Sequence, residues 1–238
     1  MMQKHSDKKI YPASLTKMMT AIVAIENLPD LQKRVELSSS IFKPLYEEDA
    51  ARVGFLPGEK VRAIDLLYGA LLPSGAECCI GLTDEVSGSE QNFVNKMNQK
   101  AEQLGMSNTH FANSTGLQNE SHYTTVKDLS LLLSYALQNK TFREIFTSSR
   151  HSTVATNKHP DGITFTSTLS QSLKEHTLPG GEILGGKTGY TDEAGLCLAS
   201  LARVDGKEYI LVTAGAKGNH KTDQYDIDDA HVVYKELN

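Results

Sequence analysis

The stretch GGKTGYTDEAGLCLASLARVDGKEYILVTAGA, residues 185–216, decides the fold class. Within it, LCLASLAR and EYILVTAGA flank Asp205-Gly206, a dipeptide that readily takes positive φ at a tight turn. The pair therefore reads as an antiparallel hairpin over 196–216. Just upstream, HSTVAT and GITFTS add further β-rich segments at 151–156 and 162–167. Before residue 145 the texture is different. From Ser14 to Leu28 the apolar residues Leu15, Met18, Met19, Ile22, Val23 and Ile25 recur at helical spacing until Pro29 stops the pattern, so a mostly buried helix begins near Ser14. Further helical runs cover 63–72, a segment after Ser74, 89–104 with Gly105 as its C-cap, and 125–139 with Thr124 or Thr125 as its cap. Between 36 and 62 the chain is polar, with turn signals at Pro44 and Pro57-Gly58, and a closing helix spans 228–237. Strands late in the chain and helices elsewhere predict an α+β fold, an antiparallel sheet flanked by helices with a helix-rich subdomain over about 38–145. The whole of 1–238 reads as a single domain.

Composition narrows the function classes. A chain of 238 residues with 39% hydrophobic content can bury a substantial core. Its formal charge of −5 and lack of any long basic run leave no footprint for nucleic acid. No segment approaches the roughly 20 apolar residues that cross a bilayer, and the first 13 residues lack the apolar centre of a signal peptide. Neither the three cysteines nor the eight histidines show zinc-ligand spacing, and adjacent Cys78 and Cys79 are poorly placed to bridge each other. They read as small buried residues on a helix.

Two short motifs could carry chemistry. Ser14 and Lys17 form S-x-x-K at a helix start, which puts an amine one turn from a hydroxyl. A lysine whose pKa is lowered by burial or nearby charge can deprotonate a serine, and the helix N-terminus favours an oxyanion; the plainer reading is that Ser14 merely caps the helix. Lys187, Thr188 and Gly189 form K-T-G. A strand edge there could hold a peptide as an added strand while Lys187 attracts a carboxylate; the plainer reading is a glycine-rich turn with a solvated lysine. The glycines do not have the spacing of a phosphate-binding loop.

S-x-x-K at 14, Pro-Ser-Gly around Ser74 and K-T-G at 187 occur in the order that resembles the three-motif site of penicillin-recognising serine enzymes. YPASLTKMMTA, LPGEKVRAIDLLYGALLPSGAE, MSNTHFANSTGLQNESHYTTVKDLSLL and GGKTGYTDEAGLCLAS together look most like the D-alanyl-D-alanine carboxypeptidases of the low-molecular-mass penicillin-binding class, the S11 peptidases. The resemblance implies a penicillin-binding-protein or β-lactamase-like transpeptidase fold and no cofactor or metal. It implies that Ser14 is acylated by the penultimate D-Ala carbonyl of a peptidoglycan stem peptide, with Lys17 as base and Ser74 relaying a proton to the departing D-Ala. Lys187 and Thr188, with Gly189, would bind the terminal carboxylate, and the backbone N–H groups of Ser14 and Tyr190 would form the oxyanion hole. β-Lactam antibiotics would acylate the same serine, and the place of action would be extracytoplasmic, in the cell envelope.

The match departs from the pattern twice. Ala76 stands where the family's second motif carries Asn, so no side-chain amide faces the lysine and the substrate, and Glu77 is the polar neighbour that could substitute. Only 13 residues precede the S-x-x-K motif, so the family's N-terminal strands and leader are expected to be missing from this sequence. Ala76 also motivates an alternative, a catalytically weak penicillin-binding sensor or decoy. A class A-like β-lactamase would need a Glu about 35 residues beyond Ser74, where the chain reads NTHFANSTG.

Overall fold

The computed structural model describes residues 2–173, 175–219 and 221–237. A 3₁₀ turn, Ala13–Leu15, runs straight into helix α1, Thr16–Asn27, so the expected helix start at Ser14 is a tighter turn with the α-helix following two residues later. Thr16 to Ala24 are all buried because α1 is central, packed against the helices that follow on several sides. The helix stops where Leu28 turns extended, the conformation that Pro29 demands of the residue before it.

The polar middle holds more structure than its composition suggests. Strand β1, Arg34–Glu36, pairs antiparallel with β2, Lys60–Arg62, and helix α2, Phe42–Glu47, lies between them. Pro44 does not end a segment; it sits in the first turn of α2, where a missing N–H costs nothing. Helices α3, Ala63–Leu71, and α4, Ala76–Ser87, flank the turn that carries Ser74, and Gly88 closes α4 in the left-handed region at φ 70°. Ser89 caps α5, Glu90–Gln103; Thr125 caps α6, Val126–Ala136; Asn139 caps α7, Lys140–Phe146, each side chain accepting from an N–H of the first turn. Gly105, at φ 73°, turns the chain away after α5 as expected.

The remaining elements form the sheet and its cover. The hairpin of β3, Arg150–Ser152, and β4, Thr164–Thr166, is shorter than the expected 151–156 and 162–167. Helix α8, Thr168–Ser172, leads to β5, Thr177–Leu178, then β6, Gly181–Thr191, β7, Gly195–Val204, and β8, Lys207–Ala216, which form one antiparallel sheet in the order β5-β6-β7-β8. Asp205 and Gly206 have φ 48° and 75°, the left-handed pair that the hairpin reading requires. The closing helix, α9, covers Tyr225–Lys235 rather than 228–237.

Alternate residues of β7 serve two cores. Cys197, Ala199 and Leu201 join the large core under α1 and its neighbours. Leu198, Ala202 and Val204 join a smaller one beneath α8 and α9, and Ser200 hydrogen-bonds the buried Tyr234 hydroxyl at 2.9 Å. The helix-flanked antiparallel sheet agrees with the α+β class. No helix among the described residues is long and apolar enough to cross a membrane.

Candidate active site

The 3₁₀ turn places Ser14 so that the S-x-x-K spacing becomes a contact, with Lys17 Nζ donating to Ser14 Oγ at 2.9 Å. Two glycines fix the backbone of this turn. A Cβ on Gly116 would fall 2.0 Å from the Ala13 carbonyl oxygen, an approach that only glycine allows, and one on Gly189 would fall 3.1 Å from Ser14 N, a tight contact, so loop and strand both lie close on the serine. Ser14 is thus presented from a positioned turn and is not simply a cap.

Lys17 is 3% exposed and also donates to the Thr115 carbonyl at 2.5 Å. Its loop is secured from several directions. Asn113 Oδ1 accepts from Gly116 N at 2.7 Å, Thr20 donates to the Ser114 carbonyl at 2.6 Å, and Glu90 accepts from the Ser114 N–H and hydroxyl at 2.9 and 2.6 Å. His122 joins the same loop to α1: its Nδ1 accepts from Ala112 N at 3.0 Å, which leaves the proton on Nε2 for Thr16 Oγ1 at 2.7 Å. Burial, with His110 and Lys17 adding repulsion, pushes His122 down to about 4, so it is neutral. Burial likewise holds the Lys17 amine below the ordinary lysine range, which favours the unprotonated form that can act as a base.

Ser74 follows Pro73 in a left-handed conformation, φ 70°, and is buried. Its hydroxyl accepts from Lys187 Nζ at 3.0 Å, which also donates to the Thr188 carbonyl at 2.7 Å. The solvated-turn reading of K-T-G is corrected here, because Lys187 lies within β6 and is 0% exposed. The reason is a β-bulge between Ile183 and Gly185. Ile183 pairs with Ala202 on the α9 side, whereas after the extra residue Lys187 pairs with Ala199, whose side chain faces the helical core. The bulge turns the lysine from one face of the sheet to the other. Burial, then repulsion from Lys17, pushes Lys187 well below its ordinary range.

Ser14, Lys17, Ser74, Lys187, Thr188 and Gly189 therefore lie together where the start of α1, the turn before α4 and β6 meet. Tyr190 follows on β6, and its hydroxyl donates to Asp192 at 2.5 Å. Glu77 commits one oxygen elsewhere, its Oε1 accepting from Val53 and Gly54 N–H at 2.7 and 3.2 Å, while its buried Oε2 has no partner among the described residues. Ala76 is buried in a small apolar cluster with Leu45 and Ala50, with Leu117 packed against it. Cys78 and Cys79 are fully buried on α4, and burial raises both thiols, Cys79 to about 12. Two participants carry no sequence signal. Thr115 acts through its main-chain carbonyl, which no residue type announces, and Thr168 places its hydroxyl 2.6 Å from that of Thr188.

The family model for D-alanyl-D-alanine carboxypeptidases, peptidase S11, matches residues 1–218. The chain belongs to this family. It is similar to D-alanyl-D-alanine carboxypeptidase DacF of Bacillus subtilis (strain 168), 33% identical over 90% of this chain and 53% of that one. It is also similar to the D-alanyl-D-alanine carboxypeptidase of Streptomyces sp. (strain K15), 31% identical over 87% of this chain and 73% of that one. The chain thus spans about half the length of the Bacillus relative. Among solved structures, the Streptomyces K15 DD-transpeptidase superposes with a TM-score of 0.86 at 28% identity, covering 100% of this chain and 92% of that one. The D-alanyl-D-alanine carboxypeptidase from Mycobacterium tuberculosis H37Rv superposes with a TM-score of 0.80 at 26% identity, covering 98% and 84%. The sheet-and-helix arrangement is shared with these solved structures.

Proposed function

We propose that the protein is a serine-type D-Ala-D-Ala carboxypeptidase that trims peptidoglycan stem peptides in the cell envelope and is acylated by β-lactams at Ser14. The observation that carries this reading is the pair of lysine–serine contacts made by buried amines, Lys17–Ser14 at 2.9 Å and Lys187–Ser74 at 3.0 Å. In the first step Ser14 Oγ attacks the penultimate D-Ala carbonyl while its proton passes to the Lys17 amine. The Ser14 N–H, held close to β6, donates to the developing oxyanion. Ser74 relays a proton to the departing nitrogen, the C–N bond breaks and free D-Ala leaves. Lys187 and Thr188 hold the terminal carboxylate, and the arriving anion supplies the counter-charge that favours protonated Lys187. Water then attacks the Ser14 ester, releasing the shortened peptide and restoring the hydroxyl.

Ala76 favours one other reading, a sensor that acylates but does not turn over. Both are decided by incubating the protein with a labelled penicillin and, separately, with a D-Ala-D-Ala-terminated peptide. A mass adduct and D-Ala release that both vanish in Ser14→Ala establish the carboxypeptidase. An adduct without release establishes the sensor. Rapid loss of the adduct with accumulation of hydrolysed penicillin indicates a β-lactamase, and absence of both adduct and release refutes the acyl-serine reading.

A further inference from the structure

Lys187 has three N–H donors, and two are already committed, to Ser74 Oγ at 3.0 Å and the Thr188 carbonyl at 2.7 Å. One remains for a bound carboxylate, which has two acceptor oxygens to satisfy. The next donor in the K-T-G segment is the Thr188 hydroxyl, and a hydroxyl carries a single proton. That proton must point at the carboxylate to be of use. Thr188 Oγ1, however, lies 2.6 Å from Thr168 Oγ1, close enough for either hydroxyl to donate to the other. If Thr188 donates to Thr168, its proton is turned away from the anion.

A carboxylate accepts hydrogen bonds and donates none, so its presence fixes the direction of the pair. With the anion seated, Thr188 donates to it and Thr168 donates to Thr188. Resting on the carboxypeptidase reading above, we propose that Thr168 is a positioning residue for recognition of the substrate's terminal carboxylate: its hydroxyl donates to Thr188 Oγ1 and so commits the one proton of Thr188 to the anion.

The fold holds Thr168 for this task on three sides. Its N–H donates to the Leu72 carbonyl at 3.1 Å, two residues before Ser74, so the second motif and Thr168 move together. The preceding Ser167 N–H donates to the Ser149 carbonyl at 2.8 Å, and Ser167 is 4% exposed. Leu169, the next residue, packs against Gly186, where a Cβ would fall 2.7 Å from its Cδ2, so the start of α8 lies close on β6. Two hydroxyls in sequence also polarise each other, which makes the proton on Thr188 a better donor than that of an isolated threonine.

The test uses Thr168→Val, which keeps the shape and removes the hydroxyl, and Thr168→Ser, which returns it. Binding of an acetylated peptide ending in D-Ala-D-Ala is measured by calorimetry on the non-acylating Ser14→Ala background, beside the same peptide with its C-terminus amidated. Thr168→Val is expected to weaken the carboxylate peptide about five- to tenfold, the worth of one neutral hydrogen bond. Thr168→Ser restores it, and the amidated peptide binds every variant equally. A purely structural role for Thr168 would weaken both peptides alike. Equal affinity of Thr168→Val and its parent for the carboxylate peptide overturns the inference, as does an equal loss for the amide. D-Ala release by the otherwise unchanged protein is followed in parallel. Release that persists with no Thr168 effect removes the inference alone, whereas the absence of both release and penicillin adduct removes the reading on which it rests.

Discussion

Lys17 and Lys187 are held in the same manner and from different sources. Each buried amine donates to one serine hydroxyl, at 2.9 and 3.0 Å, and to one main-chain carbonyl, at 2.5 and 2.7 Å. For Lys187 that carbonyl belongs to the next residue of the same strand, while for Lys17 it belongs to Thr115, 98 residues away on a loop fastened by Asn113, Glu90 and His122. An amine that must take a proton along one direction needs a rigid tertiary support. An amine that attracts an anion can rely on the strand that carries it. The two halves of the site are therefore chemically alike and mechanically unlike.

Replacing each lysine by methionine gives the sharpest contrast. On the proposed mechanism Lys17→Met removes the base and is expected to slow penicillin acylation by about 10²–10⁴-fold. Lys187→Met removes a charged contact to the carboxylate and should cost about 10- to 100-fold, read in kcat/KM for the D-Ala-D-Ala peptide and nearly absent for its amide. Both variants should melt no lower than the parent, since each exchanges a desolvated amine for an apolar chain. Equal rate losses for carboxylate and amide substrates in both variants would erase the distinction between base and anchor.

Ala76 tests whether the Thr115 carbonyl has taken over the support of the base. Restoring the family's amide with Ala76→Asn would set a polar group among Leu45, Ala50 and Leu117. The expected cost is about 1–3 kcal/mol of stability for an unpaired buried amide, seen as a melting temperature lowered by several degrees, with no gain in acylation rate. A faster enzyme of unchanged stability would show that Lys17 still lacks an acceptor.

The smallest effect concerns pH. His122, on the helical side, is neutral when folded with its pKa depressed to about 4 from 6.5, so the unfolded chain binds more protons between those values. Its contribution is complete above about 6.5 and is lost as pH falls toward 4. Asp226, on the sheet side, is raised by burial to about 6 from 3.8, so the folded chain holds the extra proton and stability is lost as pH rises through that window. Denaturant midpoints measured from pH 4 to 7 should lose their rise with pH in His122→Gln and their opposing fall in Asp226→Asn. Each change is on the order of 1–3 kcal/mol across the window. Parallel profiles in the two variants would contradict this division.

The sequence reveals these halves unequally. Ser14 and Lys17 are three residues apart, so helical periodicity alone brings them together. Ser74 and Lys187 are separated by 113 residues, and only the order of the motifs joined them before the fold did. The hairpin at Asp205-Gly206, the turn at Gly105 and the cap at Thr125 are local events that local chemistry foretells. Strand β6 is not, because GEILGGKTGYT has four glycines and no alternation, and its register depends on a bulge that no pattern marks. Helix α2 is hidden by Pro44, whose usual meaning as a breaker lapses in a first turn. The Thr115 carbonyl and the Thr168 hydroxyl stay silent because their value lies in position and not in residue type.

Ala13, next to the proposed nucleophile Ser14, and Ser74 itself sit in the left-handed region at φ 47° and 70°. Such conformations cost a side-chain-bearing residue on the order of 1 kcal/mol that glycine would not incur. Heat resistance and chemistry therefore pull these two positions apart. In a lineage selected only to survive warming, both would drift toward glycine. At Ala13 that drift would loosen the turn that presents the nucleophile, and at Ser74 it would erase the hydroxyl, so the most heat-tolerant descendants would be those that had forgotten how to turn over a substrate.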